Sequence, residues 1–267
     1  MISSNEFANK VAIVTGGSLG IGNAAARRLA QLGANVVICG SRAHVVEQSV
    51  VELRLQGLKV SGIKADVRLA DEVRQLIQFA VNTYGGVDIL VNSAGVQRYG
   101  DVIETSEETW DEVMDINVKG MFLSSKFAII EMRKRGGGSI VNVSSVQAFA
   151  SQTGVVAYTA SKGAINAMTR AIALDHAAEN IRVNVICPAS VDTPMLRWAA
   201  DLFKGNEKQE TLIVDWGKMH PVGRVGTAEE VAELIAFLSS DKASFITGTE
   251  VKIDGGMLAA LGVRLPD

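Results

Sequence analysis

The sequence predicts an α/β fold in which one parallel sheet is wound on both faces by helices. Three observations carry this. Short apolar strand patterns alternate with longer helical patterns along all 267 residues. Seven such strands are separated by helices, which implies right-handed crossovers and parallel pairing. A glycine-rich turn stands between the first strand and the first helix, where this layer structure places a ligand. Hydrophobic residues make up 48% of the chain, so a large core can form.

The elements follow in order. "KVAIVTG" is the first strand, and the helix that starts near Ile21 ends at Gly33, a C-terminal cap. "NVVIC" is the second strand, followed by a helix near 44–56. "KVSGIKAD" and "VDILVNSAG" are strands with a helix at about 70–84 between them. "SIVNVSS" and "IRVNVIC" each follow a long helix, and "EVKID" closes the series. Thr105 with Glu108, and Thr227 with Glu230, have the spacing of capping boxes that start helices. The nearby acids Glu107, Asp111 and Glu112 suit the positive end of a helix dipole rather than acid–base chemistry.

Charge and composition exclude several function classes. The formal net charge is −3 with no basic block, which argues against nucleic acid and anionic lipid as partners. No apolar run reaches the roughly 18 residues of a membrane span, and the N-terminus lacks a signal pattern. Cys39 and Cys187 each end an apolar run and read as buried free thiols. A cytoplasmic location fits. His44, His176 and His220 are scattered without metal-ligand spacing, so no metal site is expected.

"TGGSLGIG", Thr15 to Gly22, places Gly16, Gly20 and Gly22 where a diphosphate must approach the backbone. The free N–H groups of the helix start then face the phosphates. The spacing differs from the common G-x-G-x-x-G fingerprint. About 20 residues on, an NAD site carries an acid for the ribose 2′-hydroxyl. Here Gly40 takes that place and Ser41 and Arg42 follow. Arg42 and the Ser41 hydroxyl suit a 2′-phosphate, so NADP(H) is expected over NAD(H), with NAD(H) still admissible.

With these segments in view, the chain resembles the short-chain dehydrogenase/reductase family along nearly its whole length. "TGGSLGIG" is similar to that family's T-G-x-x-x-G-x-G turn, and "NSAG", Asn92 to Gly95, to its N-N-A-G segment with Ser93 substituted. "DINVKG" contains Asn117, and "IVNVSS" contains Ser145, 13 residues before Tyr158 in "YTASK". "HPVGRVG", "ASFITG" and "IDGG" resemble its C-terminal third. The resemblance implies a single doubly wound, Rossmann-like domain over 1–267, with a substrate-capping insertion at about 195–220. It implies catalytic roles for Asn117, Ser145, Tyr158 and Lys162. Ser145 would hydrogen-bond the substrate oxygen, Tyr158 exchange a proton with it, Lys162 hold the nicotinamide ribose and lower the tyrosine pKa, and Asn117 hold a water on Lys162. Asp66 would contact adenine, and Val191 and Thr193 the carboxamide. Ser18, Leu19, Ile21, Val67, Asn92, Ala94, Gly95 and Pro188 complete the implied cofactor contacts. Pro188-Ala189 departs from the family's Pro-Gly, which bears on the fine geometry of that loop.

The chemistry explains the residue types. Tyr158 and Lys162 stand four apart on one helical face. A free tyrosine has a pKa of about 10, a poor base near neutrality, and an ammonium beside it favours the phenolate. Ser145 would donate where negative charge develops on oxygen. The substrate pocket is expected from 95–100, 146–154 and the insertion, whose Leu196, Trp198, Leu202, Phe203 and Trp216 read either as a flap over the site or as a helix packing its own apolar face. A secondary alcohol or ketone is expected, with a sugar, polyol or small cyclic alcohol ranked above a 3-oxoacyl thioester. Two rivals are a non-catalytic NADP-binding sensor, which loss of Tyr158 or Lys162 would have favoured, and a nucleotide-sugar epimerase, which this chain fits poorly. The family's usual tetramers, with "SKGAINAMTRAIALDHAA" and "GGMLAALGV" as interface segments, imply a homotetramer.

Overall fold

A computed structural model describes residues 5–261. The "GGMLAALGV" tail therefore lies partly outside the described residues. In chain order the elements are β1 Val11–Thr15, α1 Gly20–Gln31, β2 Asn35–Gly40, α2 Ala43–Leu55, β3 Val60–Lys64, α3 Ala70–Tyr84 and β4 Ile89–Asn92. Then come α4 Glu107–Met114, α5 Gly120–Lys134, β5 Gly138–Val143, α6 Val156–His176 and β6 Ile181–Pro188. The last third holds β7 Val191–Asp192, α7 Pro194–Phe203, α8 Gln209–Gly217, β8 Gly226–Thr227, α9 Ala228–Ser239 and β9 Glu250–Ile253.

Seven strands form one sheet in the order β3-β2-β1-β4-β5-β6-β9, all parallel. Strand residues alternate between two cores. Ala12, Val14, Val36 and Ile38 pack on the side of α1, α2 and α9, while Val11, Ile13, Val37 and Cys39 pack on the side of α3, α5 and α6. Both faces are covered, so the strands read as unbroken apolar runs. The chain winds outward from β1 to β3, then returns to start β4 on the other side of β1. That reversal opens a crevice at the strands' carboxyl ends. Thr15 Oγ1 spans it, accepting from the backbone N–H groups of Ser93 at 3.2 Å and Ala94 at 3.3 Å.

Gly33 takes a left-handed φ of 100° just past α1, the expected cap. Thr227 and Glu230 form a complete capping box on α9. The expected box at Thr105 is displaced by one residue. Ser106 caps α4 instead, accepting from Thr109 N–H at 3.2 Å. The reason is the preceding turn. Asp101 Oδ1 accepts from the N–H groups of Ile103 and Glu104, and Thr105 Oγ1 donates to the Asp101 carbonyl at 2.6 Å. That turn commits Thr105, so the helix begins one position later. The parallel pair β7–β8, two residues each, was not foreseen. Such short pairing follows tertiary position and leaves no periodic pattern to read. Both cysteines are buried free thiols. Among the described residues no helix is long and apolar enough to cross a membrane, and no cluster of metal-ligating side chains occurs.

Candidate active site

One cleft of about 1120 Å³ runs along the carboxyl ends of the strands. Its floor at one end is the glycine turn. Gly16 has φ +64°, and a Cβ there would lie 2.8 Å from the Ala94 backbone. A Cβ on Gly22 would overlap the Gly16 carbonyl, so the turn and α1 interlock. Leu19 stands at the N-cap of α1 and gives no side-chain acceptor, which leaves the first N–H groups of the helix for an anion in the cleft. Ser18, Leu19, Gly20 and Ile21 all line the cleft. The cradle and the open helix terminus fit a dinucleotide's diphosphate.

At the end of β2, Gly40, Ser41 and Arg42 line the same cleft. A Cβ at Gly40 would come within 3.1 Å of Ser18 Oγ, so little room exists for the acid that other sites carry here. Ser41 and Arg42 are exposed. Asp66 and Val67 border this region. Asp66 already receives a forked pair from Arg68 at 2.6–3.1 Å, and that guanidinium holds its carboxyl below the usual range.

The chemical end is built by β5, α6 and the turn before α5. Ser145 follows β5 in extended conformation and accepts from Gln147 N–H at 3.1 Å. Ser145 and Tyr158 both line the cleft, and the Ser145 hydroxyl holds the Tyr158 pKa below what burial alone would give. Lys162, one turn beyond Tyr158 on α6, sets Nζ 5.1 Å from the tyrosine ring centre and donates to the Val143 carbonyl at 3.0 Å. Asn117 sits in a π-helical turn, Asp115–Lys119, a feature frequent at functional sites. Its amide exchanges two bonds with the Val96 backbone at 2.8 and 2.9 Å and donates to Ser161 Oγ at 3.0 Å. Ser161 in turn donates to the Tyr158 carbonyl at 2.7 Å. A Cβ on Gly95 would meet Asn117 Oδ1 at 3.3 Å and Lys162 Nζ at 4.0 Å, so these groups converge on one point of the wall.

Burial governs the protonation of the pair. It pushes the Tyr158 phenol up to about 12, against the opposing hydrogen bond from Ser145. It pulls the Lys162 ammonium down to about 8. Burial is the dominant influence on Tyr158, and no lowering by Lys162 accompanies it.

Pro188, Val191 and Thr193 border the cleft beyond β6. Ala189 adopts no left-handed φ, so this loop does not require the family's glycine for its conformation. Three expected residues stay off the wall. Gly22 packs behind the turn, and Asn92 is buried with its amide donating to Ser125 and Asn142. Asn117 also stands behind the wall and meets the cleft through Gly95 and Val96.

The insertion stands over the cleft: Leu196, Ala199, Trp216 and Met219 line it. Its apolar face also meets Tyr99, whose ring lies 5.8 Å from Trp198 and, edge-on, 4.6 Å from Phe203. Tyr99 was missed as an individual residue. The signal available was an aromatic in a loop directly after a strand. Ser161 and Thr15 were missed too, since a short hydroxyl gives no sign of its partner.

A family model described as enoyl-(acyl carrier protein) reductase matches residues 16–258. Dehydrogenase/reductase SDR family member 4 of Oryctolagus cuniculus is 42% identical over 94% of this chain and 95% of its own length. The chain belongs to the short-chain dehydrogenase/reductase family. Cyclohexanol dehydrogenase of an Acinetobacter species is 35% identical over 95% of this chain and 97% of its own. Aldohexose dehydrogenase of Thermoplasma acidophilum superposes with a TM-score of 0.91 at 38% identity, over 98% of this chain and 99% of its own. Members of this family are oxidoreductases of alcohols and carbonyls that bind NAD(P).

The depressed lysine has a testable sign. Between about pH 8 and 10.5 the unfolded chain holds a proton at Lys162 that the folded chain has released, so this residue makes stability rise with pH there. Below about pH 8 both states are protonated and its contribution is constant at its least favourable. Tyr158 acts in the opposite sense above about pH 10. Lys162→Met is expected to remove the rising component between pH 8 and 10, read from urea midpoints of both proteins. Parallel pH profiles would refute it.

Proposed function

We propose that the protein transfers hydride between NADP(H) and a secondary alcohol or ketone, using Asn117, Ser145, Tyr158 and Lys162. The observation that carries this is that Tyr158, Ser145 and Lys162 line the same cleft as the glycine turn, with Lys162 Nζ 5.1 Å from the Tyr158 ring centre. NADPH, when bound, supplies the hydride. The Ser145 hydroxyl orients the substrate oxygen, and Tyr158 delivers its proton to that oxygen. Lys162 stabilises the phenolate left behind, and Asn117 braces α6 through Ser161. With the tyrosine protonated near neutrality, the resting site suits reduction.

The substrate is a small cyclic alcohol, sugar or polyol. One wall is polar, where Gln147 meets Gln152 at 3.4 Å and accepts from Thr159 at 3.2 Å. The facing wall is apolar, with Met195, Leu196, Trp216 and Met219. A ring with a hydroxylated edge satisfies both, and the names of the two similar dehydrogenases denote such compounds. The 3-oxoacyl thioester reading needs free cations at the mouth for a phosphorylated carrier. Arg68 and Arg98 there are each forked onto a carboxylate, Asp66 and Glu112, and so are neutralised.

Among the described residues no carboxylate pairs with Arg42, which leaves it for a 2′-phosphate. The whole chain acts as one domain with the 195–220 cap, in a reducing compartment such as the cytoplasm that suits two buried thiols.

Tyr158→Phe is expected to lower kcat by about 10²–10⁴-fold while NADPH still binds, read by coenzyme fluorescence. Near-normal turnover would overturn the mechanism. If NADPH binds the native protein but no ring alcohol or ketone is turned over, the sensor reading takes its place. The native protein is expected to prefer NADP over NAD in kcat/KM, and Arg42→Glu to cut that ratio by roughly tenfold or more. A native preference for NAD would refute the assignment. Light scattering is expected to give the mass of a homotetramer; a monomer would refute it.

A further inference from the structure

His220 is buried, with 3% of its surface exposed, and neither of its neighbours in sequence explains why. Its Nδ1 faces two carbonyl oxygens, those of Trp216 at 3.0 Å and Gly217 at 3.3 Å. Carbonyls only accept, so Nδ1 carries the proton. Its Nε2 accepts from the backbone N–H of Ser190 at 3.3 Å. An amide N–H only donates, so Nε2 is bare. The two bonds together require the neutral Nδ1–H tautomer. Arg, Lys or a protonated imidazole cannot make both.

What the ring joins gives the arrangement meaning. Ser190 lies between Pro188 and Val191, in the segment read above as the nicotinamide loop. That segment is otherwise held by backbone contacts at its flanks. Ala189 N–H reaches the Ile253 carbonyl at 3.3 Å, and the Ser190 carbonyl accepts from Gly226 N–H at 2.9 Å. The Ser190 N–H has the imidazole instead. On the other side, Trp216 and Gly217 end α8, the second helix of the cap, and Trp216 lines the cleft. Gly255, with φ +57°, presses close: a Cβ there would stand 3.3 Å from His220 Cβ. The ring is buried between the end of α8 and the Ser190 backbone.

We propose that His220 is a positioning residue for the cofactor loop, linking the end of the substrate cap to the backbone beside the nicotinamide subsite. It touches no reacting atom and acts through Ser190. The inference rests on the reading of 188–193 as a cofactor loop.

The test uses tautomer and substitution together. In ¹⁵N-labelled protein, long-range ¹H–¹⁵N correlation separates three histidines, and the His220 signal is identified by its loss in His220→Gln. The expected pattern is Nδ1–H with bare Nε2, and a shift of the Nε2 resonance when NADPH is added. An Nε2–H tautomer, or no shift on coenzyme binding, overturns the proposal even where variants fold poorly. His220→Gln brings an amide oxygen to the position of Nε2, and His220→Asn only to that of Nδ1. His220→Asn is expected to raise the KM for NADPH roughly tenfold with kcat within threefold, and His220→Gln to recover most of that loss. Equal loss in both variants, or none in either, also overturns it. Failure of the native protein to bind NADPH would instead sink the cofactor reading of the loop, while the tautomer would still report the bond to Ser190.

Discussion

The Lys162 ammonium and the Val143 carbonyl, largely buried and 3.0 Å apart, form the interaction on which the rest depends. The bond ties the end of β5 to the second turn of α6. It thereby sets how the helix lies against the sheet, and so where Tyr158 points. Ser144, next along, repeats the tie from the other side by donating to the Lys162 carbonyl at 3.1 Å. A charged amine kept this dry is held at a cost, which its lowered pKa of about 8 records.

The site also depends on a topological constraint. Parallel strands end together, and the reversal between β1 and β4 leaves their ends uncovered by any crossover helix. The glycine turn fills part of that gap. Thr15 closes the rest with two hydrogen bonds to the N-S-A-G segment. The glycine turn and Tyr158 therefore share one wall without sharing one segment of chain. Tyr158 at the start of α6 and the glycine turn at the start of α1 meet because β1, β4 and β5 are neighbours in the sheet.

Above this wall, the chain is less regular and the contacts are side chain to side chain. The cap descends on the cleft through α7 and α8, and Tyr99 meets it from the opposite bank. Aromatic pairs at such distances contribute about 0.5–1.5 kcal/mol each beyond buried area.

Much of the fold was legible from the chain. Seven apolar runs, each bounded by turn residues, could only bury both faces by pairing in parallel under helices. The Thr227–Glu230 box, Gly33 and the T-G-x-x-x-G-x-G turn are local, since their partners lie within a few residues. Tyr158 and Lys162 declared themselves by helical spacing. Other features were not legible because they join residues far apart: Thr15 to Ala94, Asn117 to Ser161, Tyr99 to Phe203, His220 to Ser190. A hydroxyl, amide or imidazole carries no mark of its partner until the fold supplies one. The upward shift of Tyr158 likewise came from tertiary structure, because no sequence pattern measures burial. The sequence by itself determined the order of strands and helices and the residue types of the site; tertiary packing decided their distances, their water content and hence their charge.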